Sequence, residues 1–506
     1  MGERRLSWLS RRWLRRLKLC SVILVVLLGC DLLLDAVRWP FTERGTVGSL
    51  ERVSACDVRI AKFHKLFFPH PGYVAEQVVF SRPGNAGVVT LAKIQRLRTT
   101  ASWFAILSLT HRLRRMELAG LEVDIPKQVP APIHRKSKAV IPTTVTDLFA
   151  PGAVLKITSK NDSAAEEFHL PQFHLTHLAK NKAVGVQATI LDTHLIGEAE
   201  VTASVGPVQF KNVAETKLAG SFQLSNLGLD RFRAVSGQLF SSGHFEGQLS
   251  NAVVTGSVSI PKFEVTHSGH AELVGAHYQG TVNGLKGDVV ITRAEVHFLH
   301  STLMAKGSVA GVAGKTVVLN VDSQNGPVQD LLHVFVQSDP APLDGELSMH
   351  AHVVIPPGRE SFLQRVRIGG QFEIRQAIFT HETTQTKLDE LSARASGPKN
   401  RAEAKHVTAQ IASRVEVANE IATLSDAVFA VPDAIARGGG TYDLKNEAID
   451  LRGRVAMHAS LSQAAGGIKS IFLIPLDPFF KKGGAGAVLP VQVSGTYSHP
   501  TFKMKL

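Results

Sequence analysis

The residues best suited to chemistry are the 21 histidines. His350 and His352 share one face of an alternating strand, and His169, His174 and His177 cluster near another. No cysteine or close carboxylate completes a tetrahedral ligand set by spacing, so solvent-facing or sheet-edge roles are expected and no metal. The stretch Gly311–Thr316 (GVAGKT) ends like a phosphate-binding loop. Val309 stands where the first glycine belongs, and the stretch lies between strands rather than before a helix. Neither a G-x-S-x-G elbow nor an H-E-x-x-H pair occurs. Asn161-Asp162-Ser163 has glycosylation-acceptor spacing and reads as a surface turn. Of the three cysteines, Cys20 and Cys30 lie in an apolar run and Cys56 is alone outside it, so no intramolecular disulfide framework is available there. The expectation is a chain that is not an enzyme and has no cofactor, and whose function resides in a surface.

The apolar run is Leu19–Leu34, preceded by seven basic residues and one acid, Glu3. That bias holds the N-terminus in the cytoplasm and sends the rest across the membrane. Trp13 and Trp39 flank the run; helix between them would span about 39 Å, the depth of a bilayer with its headgroups. They read as interfacial anchors. An uncleaved single-pass anchor over 19–37 behind a basic tail, 1–18, is the first reading. A lipoprotein signal is the second, since Leu27-Leu28-Gly29-Cys30 resembles a lipobox and would lipidate Cys30. A cleaved signal peptide is the third.

The formal net charge is +13, of which the tail carries +6. The remainder forms no dense basic stripe with interleaved aromatics, which argues against a nucleic-acid partner.

Beyond the run, the pattern is that of short strands separated by glycine turns. Residues 38–126 read as an α+β unit: strands at Val74–Phe80 and Val88–Ile94, a short helix opened by Ser102 over Trp103–Leu109, and a one-face-buried strand in Leu113–Pro126. Residues 127–148, rich in proline and basic side chains, read as a linker or loop. From 149 to 506 the chain alternates with period 2. Val366, Ile368, Phe372 and Ile374 form one inward set; Val491, Val493 and Tyr497 form another; Phe502, Met504 and Leu506 form a third. Glycines such as Gly370, Gly453 and Gly495 take inward positions, where they mark bends. One-sided strands bent at glycines predict a mainly β fold, an elongated, curled antiparallel sheet. Two helices are expected, one on Val328, Leu331, Leu332 and Phe335, the other on Leu388, Leu391 and Ala395. The segment Ile468–Phe480, apolar and broken by Pro475 and Pro478, reads either as a core plug or as an end cap whose Ile471, Phe472, Phe479 and Phe480 touch lipid or a partner.

The order of these features resembles the AsmA-like family of membrane-anchored envelope proteins, with its TamB-like and YhdP-like members. The resemblance rests on the basic tail and anchor, on LRRMELAGLEVDIP (Leu113–Pro126), on GEAEVTASVGPV (Gly197–Val208), on GGGTYDLKNEAIDLRGRV from Gly438, and on the terminal VQVSGTYSHPTFKMKL. It implies a trough-shaped sheet with few helices, anchored in the inner membrane with its bulk in the periplasm. It also implies a hydrophobic groove for phospholipid acyl chains that supports outer-membrane assembly. About twenty strands at ~4.8 Å would extend on the order of 90–100 Å. The inward residues named above would be the groove lining. The rival reading is a scaffold that docks envelope protein partners without lipid cargo.

Overall fold

The computed structural model describes residues 41–84, 87–107, 112–125, 144–157, 166–179, 182–192, 197–207, 213–230, 235–266, 268–310, 316–358, 360, 362–396, 406–458, 486–496 and 500–504. The chain is mainly β, with a large mixed sheet and a few short helices. It divides into two compact units. The first runs to Glu167 and takes in Gln172–Lys180; the second holds Phe168–Pro171 and everything from Asn181.

The first unit opens with helix α1 (Glu43–Ser54), whose N-cap Thr42 accepts a hydrogen bond from the Gly45 N–H at 3.2 Å. Strands β1 (Asp57–Arg59) and β2 (Lys62–Leu66) both pair with β3 (Gly72–Gly84), which continues antiparallel into β4 (Gly87–Ala101) and β5 (Arg112–Ile125). The short helix α2 (Trp103–Leu107) joins the last two; Ser102 caps it as expected, its Oγ accepting from the Ala105 N–H. Phe41, Val58, Tyr73, Ala75, Val78, Ile94, Leu97 and Leu113 form its core.

Here the expectation of a purely antiparallel sheet is corrected. Strands β6 (Thr144–Phe149) and β7 (Ala153–Ile157) both run parallel to β5, and β8 (Glu166–Ala179) returns antiparallel to β6. A parallel pair needs a long connection, and residues 126–143 supply one. The compact unit is therefore longer than 38–126, and 144–148 of the expected linker belongs to a strand.

Burial pushes the Tyr73 phenol up to about 12. A raised folded-state value means the stability it carries is whole below pH 10, its unfolded value, and is lost as pH rises through about 12. An alkaline titration of the first unit should show a loss on the order of 2–3 kcal/mol across that window. The Tyr73→Phe chain should lack it, as read by near-ultraviolet dichroism against pH.

The second unit is a meander. Strands β9 (Val184–Asp192), β10 (Gly197–Val205) and β11 (Lys217–Gly228) pair in order, and β11 then pairs with β13 (Gln238–Gln248). The two-residue β12 (Val235–Ser236) pairs with β14 (Asn251–Val265). From β13 the order is unbroken: β14, β15 (Ala271–Asn283), β16 (Asp288–Phe298), β17 (Ser301–Val309), β18 (Val317–Pro327), β19 (Leu343–Ile355) and β20 (Arg367–Phe379). It continues through β21 (Ala409–Ala418), β22 (Ile421–Val431), β23 (Ala434–Asp443), β24 (Ala448–Met457), β25 (Ala487–Thr496) and β26 (Pro500–Met504). Every one of these pairings is antiparallel.

Among the described residues, a 3-10 turn (Val213–Glu215) and three α-helices interrupt the meander: α3 (Val328–Phe335), α4 (Phe362–Arg365) and α5 (Glu382–Ser396). In α5 the buried residues Gln385, Leu388, Ser392 and Ala395 form one stripe. Polar clips hold it at one end of the sheet. The Gln385 amide donates to the Val407 carbonyl at 2.9 Å, Asp389 accepts from the His406 and Val407 N–H groups, and Ser392 donates to the Pro432 carbonyl. In α3 Val328 is buried and Leu331 and Leu332 pack against the core, as the expected stripe has it, whereas Phe335 is exposed and Asp330 and Val334 are buried instead. Asp330 explains the rotation: its carboxylate accepts from the His300 N–H at 2.7 Å and the Ser301 hydroxyl at 3.0 Å, turning that face of the helix toward β17. Among the described residues no helix is long and apolar enough to cross a membrane. The expected anchor over 19–37 lies outside them, with Trp13, Trp39 and Cys30.

Candidate apolar groove on the second unit

A strand sends alternate side chains to opposite faces, and residues in register across a ladder share a face. Register can therefore be followed from strand to strand. One row starts at Ala188 and passes through Val201, Phe222, Gly243, Gly256, Tyr278, Ala294, Ala305 and Val321. It goes on through Ala351, Gly370, Val415, Leu424, Gly440, Leu451, Val493 and Phe502. Seventeen strands contribute one residue each, and none is charged. The one hydroxyl, on Tyr278, is matched by Ser241 Oγ at 3.1 Å. At ~4.8 Å a strand the row follows the sheet for about 75 Å.

The neighbouring row on the other face is polar: Gln187, Thr202, Ser221, His244, Thr255, Gln279 and Arg293 at one side. On the same face, the row at the other side of the apolar one holds Asp322, His350, Gln371 and Arg414, and farther along Arg452, Gln492 and Lys503. His350 and His352 lie here, as the alternation predicts, and each meets a cross-strand partner, Asp322 and Asn320. Hydrogen bonds from Arg452 and Gln492 hold the Asp450 carboxyl below its usual range. Among the described residues no group of three metal-ligating side chains forms. His174 instead stacks on Phe149 at 4.1 Å, with Arg115 over the same ring.

Every side chain described in the apolar row is half-buried; none is sealed and none is fully open. The adjoining positions Leu218, Phe222, Phe245, Val254, Val282 and Ile291 line a hollow of about 440 Å³. Glycines shape this floor. Gly243 and Gly256 face each other across β13 and β14, with the Phe222 ring over the first and the Tyr278 ring over the second. Aromatic rings lying over glycines fill space that bent strands would leave empty.

One end of the face is shut. Around α3 and α5, Leu343, Leu347, Ile374, Ala377, Ala409, Val431, Val455, Met457 and Leu489 are buried in one cluster with Leu388 and Ala395. At the opposite ends of the same strands Val353, Ile368, Leu424, Leu451 and Val493 stay half-buried.

The candidates from sequence divide accordingly. Ile368 and Val493 lie on the half-open part of the face, and Ile374 lies inside the closed cluster with Phe372 and Val491 against it. Val366 is buried just before β20. Phe502 and Met504 are in register with Val493 and Val491. Tyr497, Leu506 and the set Ile471, Phe472, Phe479 and Phe480 lie outside the described residues. Sequence reasoning missed the lining of β10 to β18, including Phe222, Phe245, Tyr278 and Ile291. Its signal was there, in the glycine-centred strands from Gly220 to Lys306.

No family model, curated protein or solved structure matches the chain. The functional reading therefore rests on the face itself. An apolar lane with a polar reverse side can supply dispersion contact and water exclusion, and no charged residue enters the lane among the described residues.

Proposed function

We propose that the second unit binds phospholipid acyl chains along its apolar face and passes them between membranes, with the apolar run Leu19–Leu34 as its tether to the inner membrane. The carrying observation is the row from Ala188 to Phe502, uncharged at every step and half-buried from Ala188 to Val493. A protein that closed this face for its own stability would bury it, because half-exposed apolar area forgoes roughly 25 cal/mol per Å². A continuous, partly exposed apolar face is the kind of surface that takes up a ligand. The resemblance to the AsmA-like family supports the same reading.

The test is site-specific photocrosslinking in the full chain. A benzophenone side chain at Phe222, Val254, Ile291 or Leu319 should yield phospholipid adducts by mass spectrometry. The same group at Gln223, Thr255, Thr292 or Asn320, one residue away on the reverse face, should yield at least tenfold fewer. Equal labelling of both sets, or a lipid-free protein, would overturn the reading and leave an anchored scaffold for envelope proteins.

A further inference from the structure

The first unit carries an aromatic cluster at one end that its own core does not use. Phe67 and Phe68 lie in the loop between β2 and β3, and Trp103 and Phe104 open α2. Phe68 is 89% exposed and Phe104 78%; Phe67 and Trp103 are also exposed. The Trp103 indole N–H donates to the Pro69 carbonyl at 3.1 Å, and the Ala101 N–H donates to the Pro71 carbonyl at 2.7 Å, so loop and helix form one surface.

Two observations say what covers it. First, Phe41 packs on Tyr73, ring centroids 5.8 Å apart, and Tyr73 is in register with Lys65 and Thr99 in the last steps of the sheet at this end. The apolar run closes at Leu34. The seven residues from Leu34 to Phe41 can span at most about 25 Å, so Leu34 stands within that reach of Phe41 and of the end that bears the aromatics. Second, exposed cations ring that end: Lys65, Arg98, Arg114 and Arg115. Indole and phenyl rings with cations beside them match the bilayer interface, where rings seat at headgroup depth and cations meet phosphate.

We propose that Phe67, Phe68, Trp103 and Phe104 form a membrane-seating surface, inserted at the interface of the bilayer that holds the run. The surface sets the first unit against the membrane and does not depend on whether the second unit carries lipid. Two signals, an apolar segment and a folded aromatic foot, hold the unit in one orientation where the segment alone leaves it free to swing.

The experiment uses the full chain in nanodiscs of phosphatidylethanolamine and phosphatidylglycerol, with Trp8, Trp13 and Trp39 replaced by Phe, so that Trp103 is the sole indole. Lipids brominated near the carbonyl end should quench its emission at least twofold. A second chain carries Trp103→Phe and Val88→Trp, placing the indole at an exposed site beside the β3–β4 hairpin, the far end of the sheet. It should be unquenched. Adding Phe68→Asp and Phe104→Asp to the first chain should abolish the quenching, with circular dichroism unchanged. Trp103 unquenched by bromolipid overturns the proposal, and so does equal quenching at both sites. An indole shielded from iodide yet blind to bromolipid overturns it too, in favour of a protein partner or second copy. Failure of the chain to enter nanodiscs also counts against it.

Discussion

A chain carrying Val321→Glu should lose most of its bound phospholipid, at least tenfold per mole of protein, while Asn320→Glu should keep its load. Val321 stands midway along the apolar row, in register with Ala305 and Ala351, and is half-buried. Flanked by two alanines, a longer side chain there extends over the floor without striking a large neighbour. A carboxylate facing that floor either stays charged, at a cost of several kcal/mol when surrounded by hydrocarbon, or draws water with it. Each acyl methylene lifted off the surface forfeits about 0.8 kcal/mol, so displacing four weakens binding by about 3 kcal/mol, a hundredfold or more. Asn320 points to the reverse face, where His352 already meets it at 2.9 Å, and a carboxylate there stays in water. Lipid extraction and mass spectrometry of both purified chains gives the ratio. Equal lipid content in the two would remove the face from the binding account, because the substitutions differ only in the side of the sheet they alter.

How far this face was legible in the sequence can be judged strand by strand. The alternation in β20, β25 and β26 singled out one apolar face, and register then joins Leu451 to Val493 and Val493 to Phe502. Period 2 records which side of a strand is apolar, so it carries that much. It does not record what lies above the face. Ile368 and Ile374 are equivalent by alternation, yet only Ile374 meets the cluster under α5. That difference is set by Gln385 and Asp389 reaching the backbone of His406 and Val407, 17 to 22 residues farther along the chain, a separation no local pattern bridges. The parallel pairing of β5 with β6 and β7 was hidden for a similar reason, since strand direction follows from the path of the intervening chain. The exposed aromatic cluster was half legible: Ser102 announced the α2 helix, but no local pattern brings the loop at Phe67 and Phe68 beside Trp103 and Phe104.

The same geometry makes two adjacent glycines behave in opposite ways. Gly370 lies in the apolar row, and a Cβ there would fall 2.5 Å from the His350 carbonyl oxygen and 3.0 Å from the Ala351 Cα. Both are backbone atoms of the paired strand, so neither can rotate aside; the ladder between β19 and β20 must open. Gly369 lies on the reverse face, in register with His352 and Glu416, and a Cβ there meets nothing within 4 Å. Gly370→Val should therefore cost about 3 kcal/mol or more, the scale of overpacking against backbone that cannot shift. Gly369→Val should be near neutral, its β-branch suiting a strand and its reduced unfolded-state freedom adding a few tenths of a kcal/mol. The two units make a single global melting curve ill-defined, so the readout is amide hydrogen exchange in β19 to β21. Protection there should fall by about two orders of magnitude for Gly370→Val and hold for Gly369→Val. Gly307 in β17, whose added Cβ would overlap the Val318 carbonyl, should repeat the Gly370 result. If Gly370→Val and Gly307→Val exchanged like the parent, the sheet would not be bent tightly at these positions. The glycines would then be incidental to the floor on which the acyl-chain reading depends.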